Sequence, residues 1–181
     1  MSLEYAILVS LQERAGSGYE LARRFDKSIG YFWGASHQQI YRSLKRMVEL
    51  GWVSADEVAQ EKRPDKKVYR VSDSGTAELA RWLAEPADPP TVRNELSVKI
   101  RGASYGEIEQ VLAEVRRHRT LHAERRAVYQ AIEQRDFPDR TRLSGQPLHQ
   151  FLVLSGGIRT EQSMVDWCDE VIAALEADAG S

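Results

Sequence analysis

Three prolines in five residues, Pro86, Pro89 and Pro90, constrain this 181-residue chain more than any other feature. Proline fixes φ, has no amide hydrogen and clashes with the preceding helical turn, so the stretch cannot lie inside a helix. It reads as a stiff extended connection. The chain then divides into residues 1–85, a linker of residues 86–90, and residues 91–181. That length suits one large domain or two small ones, and the linker favours two. No internal repeat or low-complexity tract blurs the division.

Ahead of the prolines the chain alternates between two periodicities. Leu3, Ala6, Ile7 and Leu11 mark one face of a first helix. Gly16-Ser17-Gly18 reads as the breaker that ends it. Tyr19, Leu21, Ala22 and Phe25 mark a second helix, and Tyr31-Phe32-Trp33-Gly34 reads as an aromatic loop. Ser36 suits the N-cap of a third helix, with Gln39 at the capping-box position. Ile40, Leu44, Met47 and Val48 form its apolar face, and Gly51 stops it. Trp52-Val53 opens a strand, Val68-Tyr69-Arg70-Val71 reads as a second, and the polar stretch from Asp56 to Lys67 joins them as a hairpin loop. Ser72-Asp73-Ser74-Gly75 then opens a fourth helix through Leu79, Trp82 and Leu83. This order is that of a winged helix-turn-helix with a two-stranded wing. The expected fold class is mainly α, with the winged module followed by a helical dimerisation domain.

The chemistry of the third helix favours double-stranded DNA as partner. A helix fits the major groove and its first turns reach base edges. The exposed positions of that helix are His37, Gln38, Gln39, Arg42, Ser43, Lys45 and Arg46, and the DNA-facing set also takes Ser36 at its start. Gln pairs bidentately with adenine and Arg with guanine, while Ser and Lys suit phosphate. The wing adds Lys62, Arg63, Lys66 and Lys67, whose charge would neutralise backbone phosphates on any sequence. The net charge is only −2, but residues 36–71 are net basic and the remainder net acidic. The alternative is a winged-helix interaction module whose basic wing binds an acidic protein.

Several segments resemble the PadR family of bacterial transcriptional regulators. They are S-H-Q-Q-I-Y-R-S-L-K-R-M-V-E-L-G-W-V (Ser36–Val53), K-K-V-Y-R-V-S-D-S-G (Lys66–Gly75), L-A-R-W-L (Leu79–Leu83), G-Y-E-L (Gly18–Leu21) and F-W-G (Phe32–Gly34). Pro89 to Ile100, P-x-x-x-R-N-E-L-S-V-K-I, and the helical length beyond it are similar to the longer-tailed branch of phenolic-acid-responsive repressors and virulence regulators. The resemblance implies a homodimer with two winged domains and helical C-terminal domains in contact. It implies that Tyr41 and its neighbours face DNA and that Lys66 and Lys67 lie on the wing. Ser72 stands where the family more often has Thr, and either hydroxyl caps a helix.

Everything beyond the linker reads as helix: about 92–101, 104–135 with Ser104 and Glu107 as a capping box, and 147–175. Their near-heptad stripes suit either an intramolecular bundle or a subunit seam. The residues assigned to dimerisation are Leu3, Ile7, Val115, Tyr129, Phe151, Ile158, Val165 and Ile172. Trp82, Tyr129, Gly156 and Trp167 are candidates for a pocket holding a small aromatic effector, since Gly156-Gly157 interrupts the last helix and opens space. Glu114, His118 and His122 share a helix face, but arginines crowd it and would repel a cation, so no metal or other cofactor is expected. Cys168 is the sole cysteine and has no intramolecular disulfide partner. No catalytic motif appears, so an enzyme is not expected. There is no apolar run long enough for a membrane span and no leader-like start, and the expected compartment is the cytoplasm.

Overall fold

The computed structural model describes residues 3–27, 34–58, 66–89 and 93–179. The chain forms two compact units, Met1–Pro89 and Pro90–Ser181. The first holds α1 (Leu3–Glu13), β1 (Gly16–Ser17), α2 (Gly18–Lys27), α3 (His37–Glu49), β2 (Val53–Val58), β3 (Lys66–Val71) and α4 (Asp73–Leu83). The second holds α5 (Glu95–Arg101), α6 (Ile108–Asp136) and α7 (Gly145–Ala179), with 3-10 turns at Ala103–Tyr105 and Arg140–Arg142.

In the first unit the three helices converge on one core. Ile7, Leu8 and Leu11 of α1, Leu21, Ala22 and Phe25 of α2, and Ile40, Leu44 and Met47 of α3 are all buried, with Val53 and Leu79 closing the cluster. The helical spacing of these residues puts one apolar stripe of each helix inward. Beside this core the Tyr5 ring stacks on Trp82 at 4.6 Å and on Trp52 at 6.1 Å. Gly51, at φ +71, ends α3 by adopting the left-handed conformation. The chain then turns so that Trp52 presents its carbonyl to Ser72, whose amide donates to it at 3.0 Å. A Cβ at Gly75 would lie 2.0 Å from that carbonyl oxygen, so glycine alone permits the approach of α4.

The wing differs from expectation. The sheet has three antiparallel strands in the order β1-β3-β2. Gly16 and Ser17, read as a breaker, pair with Tyr69 and Val68. Two residues carry no periodicity, so only their backbone hydrogen bonding reveals them as a strand. They join the wing to the start of α2.

In the second unit α6 and α7 run antiparallel, as their cross-pairs show: Arg116 with Glu176, Arg119 with Asp169, and His122 with Glu161. Leu96, Val115 and Cys168 form a small core, with Ile100, Val111, Trp167, Val171 and Ile172 packed on it. Three boundaries are corrected. Ser104 does not cap the long helix: extended backbone at Gly106 breaks the helical path, and α6 starts at Ile108 without a side-chain cap. Asn94 caps α5 by accepting the Ser97 amide, 3.2 Å, so that helix starts later than expected. The glycine pair does not interrupt α7, which is continuous from Gly145 to Ala179. Among the described residues no helix is long and apolar enough to cross a membrane.

Candidate nucleic-acid interface

Ser36 and Gln39 build the capping box that starts α3. The Gln39 amide donates to Ser36 Oγ at 3.2 Å, and the Ser36 amide donates to Gln39 Oε1 at 2.8 Å. The Gln39 side-chain oxygen is therefore committed to the cap rather than offered outward. Burial of Ile40, Leu44 and Met47 turns the opposite face to solvent, where Gln38, Tyr41, Arg42 and Lys45 are exposed. His37 Nε2 lies 3.3 Å from Asp26 at the end of α2. Further along, Glu4 of α1 accepts from Ser43 Oγ at 3.5 Å and lies 3.7 Å from Arg46, which draws Arg46 back toward α1.

Two wing lysines beside this face each have an internal carboxylate. Lys66 Nζ donates to Glu20 Oε1 at 2.7 Å, and Lys67 lies 3.6 Å from Glu57. Lys62 and Arg63 lie outside the described residues. Lys66, Lys67 and Tyr41 line an open concavity of about 1110 Å³ together with Arg14, Arg23 and Glu20. Sequence reasoning missed the contribution of α2 to this surface. The signal was present: Ser17-x-x-Glu20 is itself a capping-box spacing. The Glu20 amide donates to Ser17 Oγ at 3.2 Å, and the Ser17 amide donates to Glu20 Oε2 at 2.8 Å. Bonding to Lys66 and to the Ser17 amide lowers the Glu20 carboxyl to about 2, so it is ionised at neutral pH. Gly18 was also missed. A Cβ there would sit 2.3 Å from Tyr41 Cε1, so the Tyr41 ring lies directly over the glycine.

The residues expected around an effector fall in both units. Trp82 belongs to the Tyr5 stack of the first unit. In the second, Tyr129 is buried and fills the space over Gly157, 3.0 Å from a Cβ built there. Gly156 has no neighbour within 4 Å of such a Cβ, and Trp167 packs on the Val115–Cys168 core. None of them lines the second unit's own concavity of about 670 Å³, where Lys99, Glu114, Arg117, His118 and His122 gather. Glu114 there accepts from Arg117 at 2.8 Å, which lowers its carboxyl to about 2. His118 stands 3.4 Å from Glu114, whereas His122 bonds Glu161 at 2.5 Å. The Glu114, His118 and His122 face thus splits between two carboxylates, and no His/Cys/Asp/Glu group suited to a metal occurs among the described residues.

The residues assigned to a subunit seam differ in how far they are buried within the single chain. Ile7 and Val115 are fully buried within one chain, and Tyr129 and Val165 nearly so, because they form intramolecular cores. They have no area left for a partner. Leu3 packs on the first core and Ile172 on the second, while Phe151 and Ile158 are half-buried, Phe151 against Phe137. The exposed apolar residues of α6 and α7 are instead Leu121, Val128, Leu152 and Val153.

Comparison with known proteins places this arrangement. Residues 7–81 match the PadR-like family of transcriptional regulators, and residues 92–176 match the virulence activator alpha C-terminal family. The chain is 52% identical to "Probable transcriptional regulator Rv1176c" of Mycobacterium tuberculosis over 97% of its own length and 98% of the relative's. Its fold is similar to that of the Vibrio cholerae virulence activator AphA, with a TM-score of 0.81 at 34% identity, covering 97% of this chain and 99% of the other. It is also similar to Bacillus subtilis PadR in complex with operator DNA, with a TM-score of 0.85 at 27% identity, covering 96% and 98%. A winged helix-turn-helix with a three-stranded sheet and a helical C-terminal unit, matched along nearly its whole length, makes this chain a member of the PadR-like family of transcriptional regulators, which are not enzymes.

Proposed function

We propose that the chain is a homodimeric repressor that binds double-stranded DNA through α3 and the wing and is released by a small aromatic effector. One observation carries the DNA reading. The capped helix α3 turns Gln38, Tyr41, Arg42 and Lys45 outward beside a basic wing. Amide and guanidinium groups at the start of an exposed helix suit base edges, and the wing lysines suit the backbone. The relative solved with operator DNA supports the same use of this fold. That relative is named a negative regulator, which supports repression, and its complex with p-coumaric acid supports an aromatic effector. A dimer accounts for the exposed apolar residues of α6 and α7 and presents two reading helices to a two-fold operator. In this reading residues 1–85 bind DNA and residues 91–181 dimerise. Trp82, Tyr129, Gly156 and Trp167 remain the aromatic and open positions nearest to effector chemistry.

The test is salt-titrated binding to the promoter region of the chain's own gene, with Arg42→Ala as the variant. The parent should retain that fragment over arbitrary DNA. The variant should lose about 1–3 kcal/mol and relax base preference at one position if Arg42 reads a base. Equal retention of promoter and arbitrary duplex by the parent would overturn the reading. Selective capture of an acidic protein would favour an interaction module instead.

A further inference from the structure

The concavity between α2, α3 and the wing sets two acids among five cations. Arg14, Arg23, Arg24, Lys66 and Lys67 line it, and so do two carboxylates, Glu20 and Glu57. Each carboxylate holds a wing lysine, but they hold it differently. Glu57 is 69% exposed and 3.6 Å from Lys67, a loose surface pair. Glu20 is fixed first by its own helix. Its Oε2 accepts from both the Ser17 amide, 2.8 Å, and Ser17 Oγ, 3.1 Å. Its Oε1 is then aimed at Lys66 Nζ, 2.7 Å away. Ser17 belongs to β1, which pairs with β3, the strand that begins at Lys66. The carboxylate and the ammonium are thus held on neighbouring, hydrogen-bonded elements, and little entropy is lost when they meet.

We infer that Glu20 restrains sequence-independent DNA binding by holding Lys66 away from backbone phosphates. The inference rests on the DNA-binding reading above. A phosphate and a carboxylate compete for the same ammonium donors, and the carboxylate is already in place. A phosphate arriving at Lys66 also meets the charge of Glu20, which cannot swing aside without giving up its cap on α2. Lys66 therefore adds less to backbone affinity than an unpaired lysine at that position would.

The experiment is a salt titration of binding to a short duplex of arbitrary sequence, comparing the full chain with Glu20→Gln. Glutamine keeps an oxygen for the Ser17 cap, so the helix start is preserved and only the charge is removed. Binding should tighten about threefold at low salt, the scale of an exposed ion pair. The slope of log affinity against log salt should steepen toward one further phosphate, about 0.9. In a Lys66→Gln background the same exchange should gain nothing, because the cation it would release is gone. Glu20→Asp, too short to reach Ser17 and Lys66 together, should move in the same direction as Glu20→Gln and guards against a folding defect peculiar to glutamine. An unchanged or shallower slope overturns the inference. So does an equal gain in both backgrounds, which would be a general charge effect. A parent chain that binds no duplex at low salt overturns the DNA-binding reading itself, whereas binding with equal slopes overturns only the role of Glu20.

Discussion

The two units of this chain use apolar side chains in opposite ways. In the N-terminal unit, α1, α2, α3, β2 and α4 all contribute to one core, and residues far apart in sequence meet there. In the C-terminal unit two long helices share a narrow seam around Leu112, Val115, Tyr129, Val165 and Cys168. Ion pairs flank that seam, among them Arg119–Asp169 and His122–Glu161, and Leu121, Val128, Leu152 and Val153 stay exposed. A helix pair has two sides, and one partner helix covers only one of them. The N-terminal unit has the core of a self-sufficient domain. The C-terminal unit leaves apolar side chains of both long helices exposed, which is what the proposed dimer would cover.

The largest effect should follow from breaking the complete core. Leu44→Ala removes a fully buried side chain among Ile7, Leu8 and Ile40. Such a cavity costs about 2–5 kcal/mol. The loss should appear in the tryptophan signal of the N-terminal unit, which Trp167→Phe isolates by leaving only Trp33, Trp52 and Trp82. A change of less than about 1 kcal/mol would mean that the core relaxes around the cavity, and the contrast between the units would weaken.

A smaller effect should come from charging the incomplete face. Leu152 is 57% exposed in the single chain, so Leu152→Glu should leave the unit folded. If a second copy covers it, burying the part of that leucine still exposed is worth about 1–2 kcal/mol per subunit. Sedimentation should then show the variant dissociating at concentrations where the parent stays associated. Two proteins of equal mass at every concentration would place the subunit seam elsewhere.

This contrast explains how far the sequence could be read. The N-terminal helices were legible because each has one apolar stripe and a marked end, such as Ser36 or Gly51. The recognition face followed by subtraction, since a helix with one buried stripe exposes the rest. The C-terminal stripes were legible as stripes but not as partnerships. Val115 and Val165 have the spacing of a subunit seam and lie within one chain, because a heptad pattern records burial and not whose atoms bury it. Glu20 was legible as a cap through Ser17-x-x-Glu20, but its pairing with Lys66 was not. Its role depends on β1, and a strand of two residues has no pattern to read.

A still smaller effect should distinguish positioning from folding in the first unit. Gly18→Ala places a methyl 2.3 Å from Tyr41 Cε1. Tyr41 is 47% exposed and can swing outward, so the strain should displace the ring rather than unfold the unit. Overpacking of this kind starts at about 1 kcal/mol, roughly fivefold in DNA affinity if Tyr41 must be in place to bind. The melting curve should barely move while promoter binding weakens. A matched loss in both, or in neither, would separate Tyr41 from the interface.

The smallest effect is acidic weakening of the N-terminal unit, through bonds that tie distant elements together. Glu20 reaches β3 through Lys66, and Glu78 of α4 accepts from Tyr5 of α1 at 2.7 Å. Bonds from Arg81 and then Tyr5 lower the Glu78 carboxyl to about 2, matching Glu20. Both folded values lie below the ordinary 4.5, so the folded state favours the ionised form. Their stabilisation is present above about pH 4.5 and is lost as pH falls from there toward 2. The urea midpoint of the Trp167→Phe protein should therefore drop between neutrality and about pH 3. Glu78→Gln should start lower at neutrality and fall less, because its share no longer titrates. Parallel curves for the two proteins would remove Glu78 from the acid response.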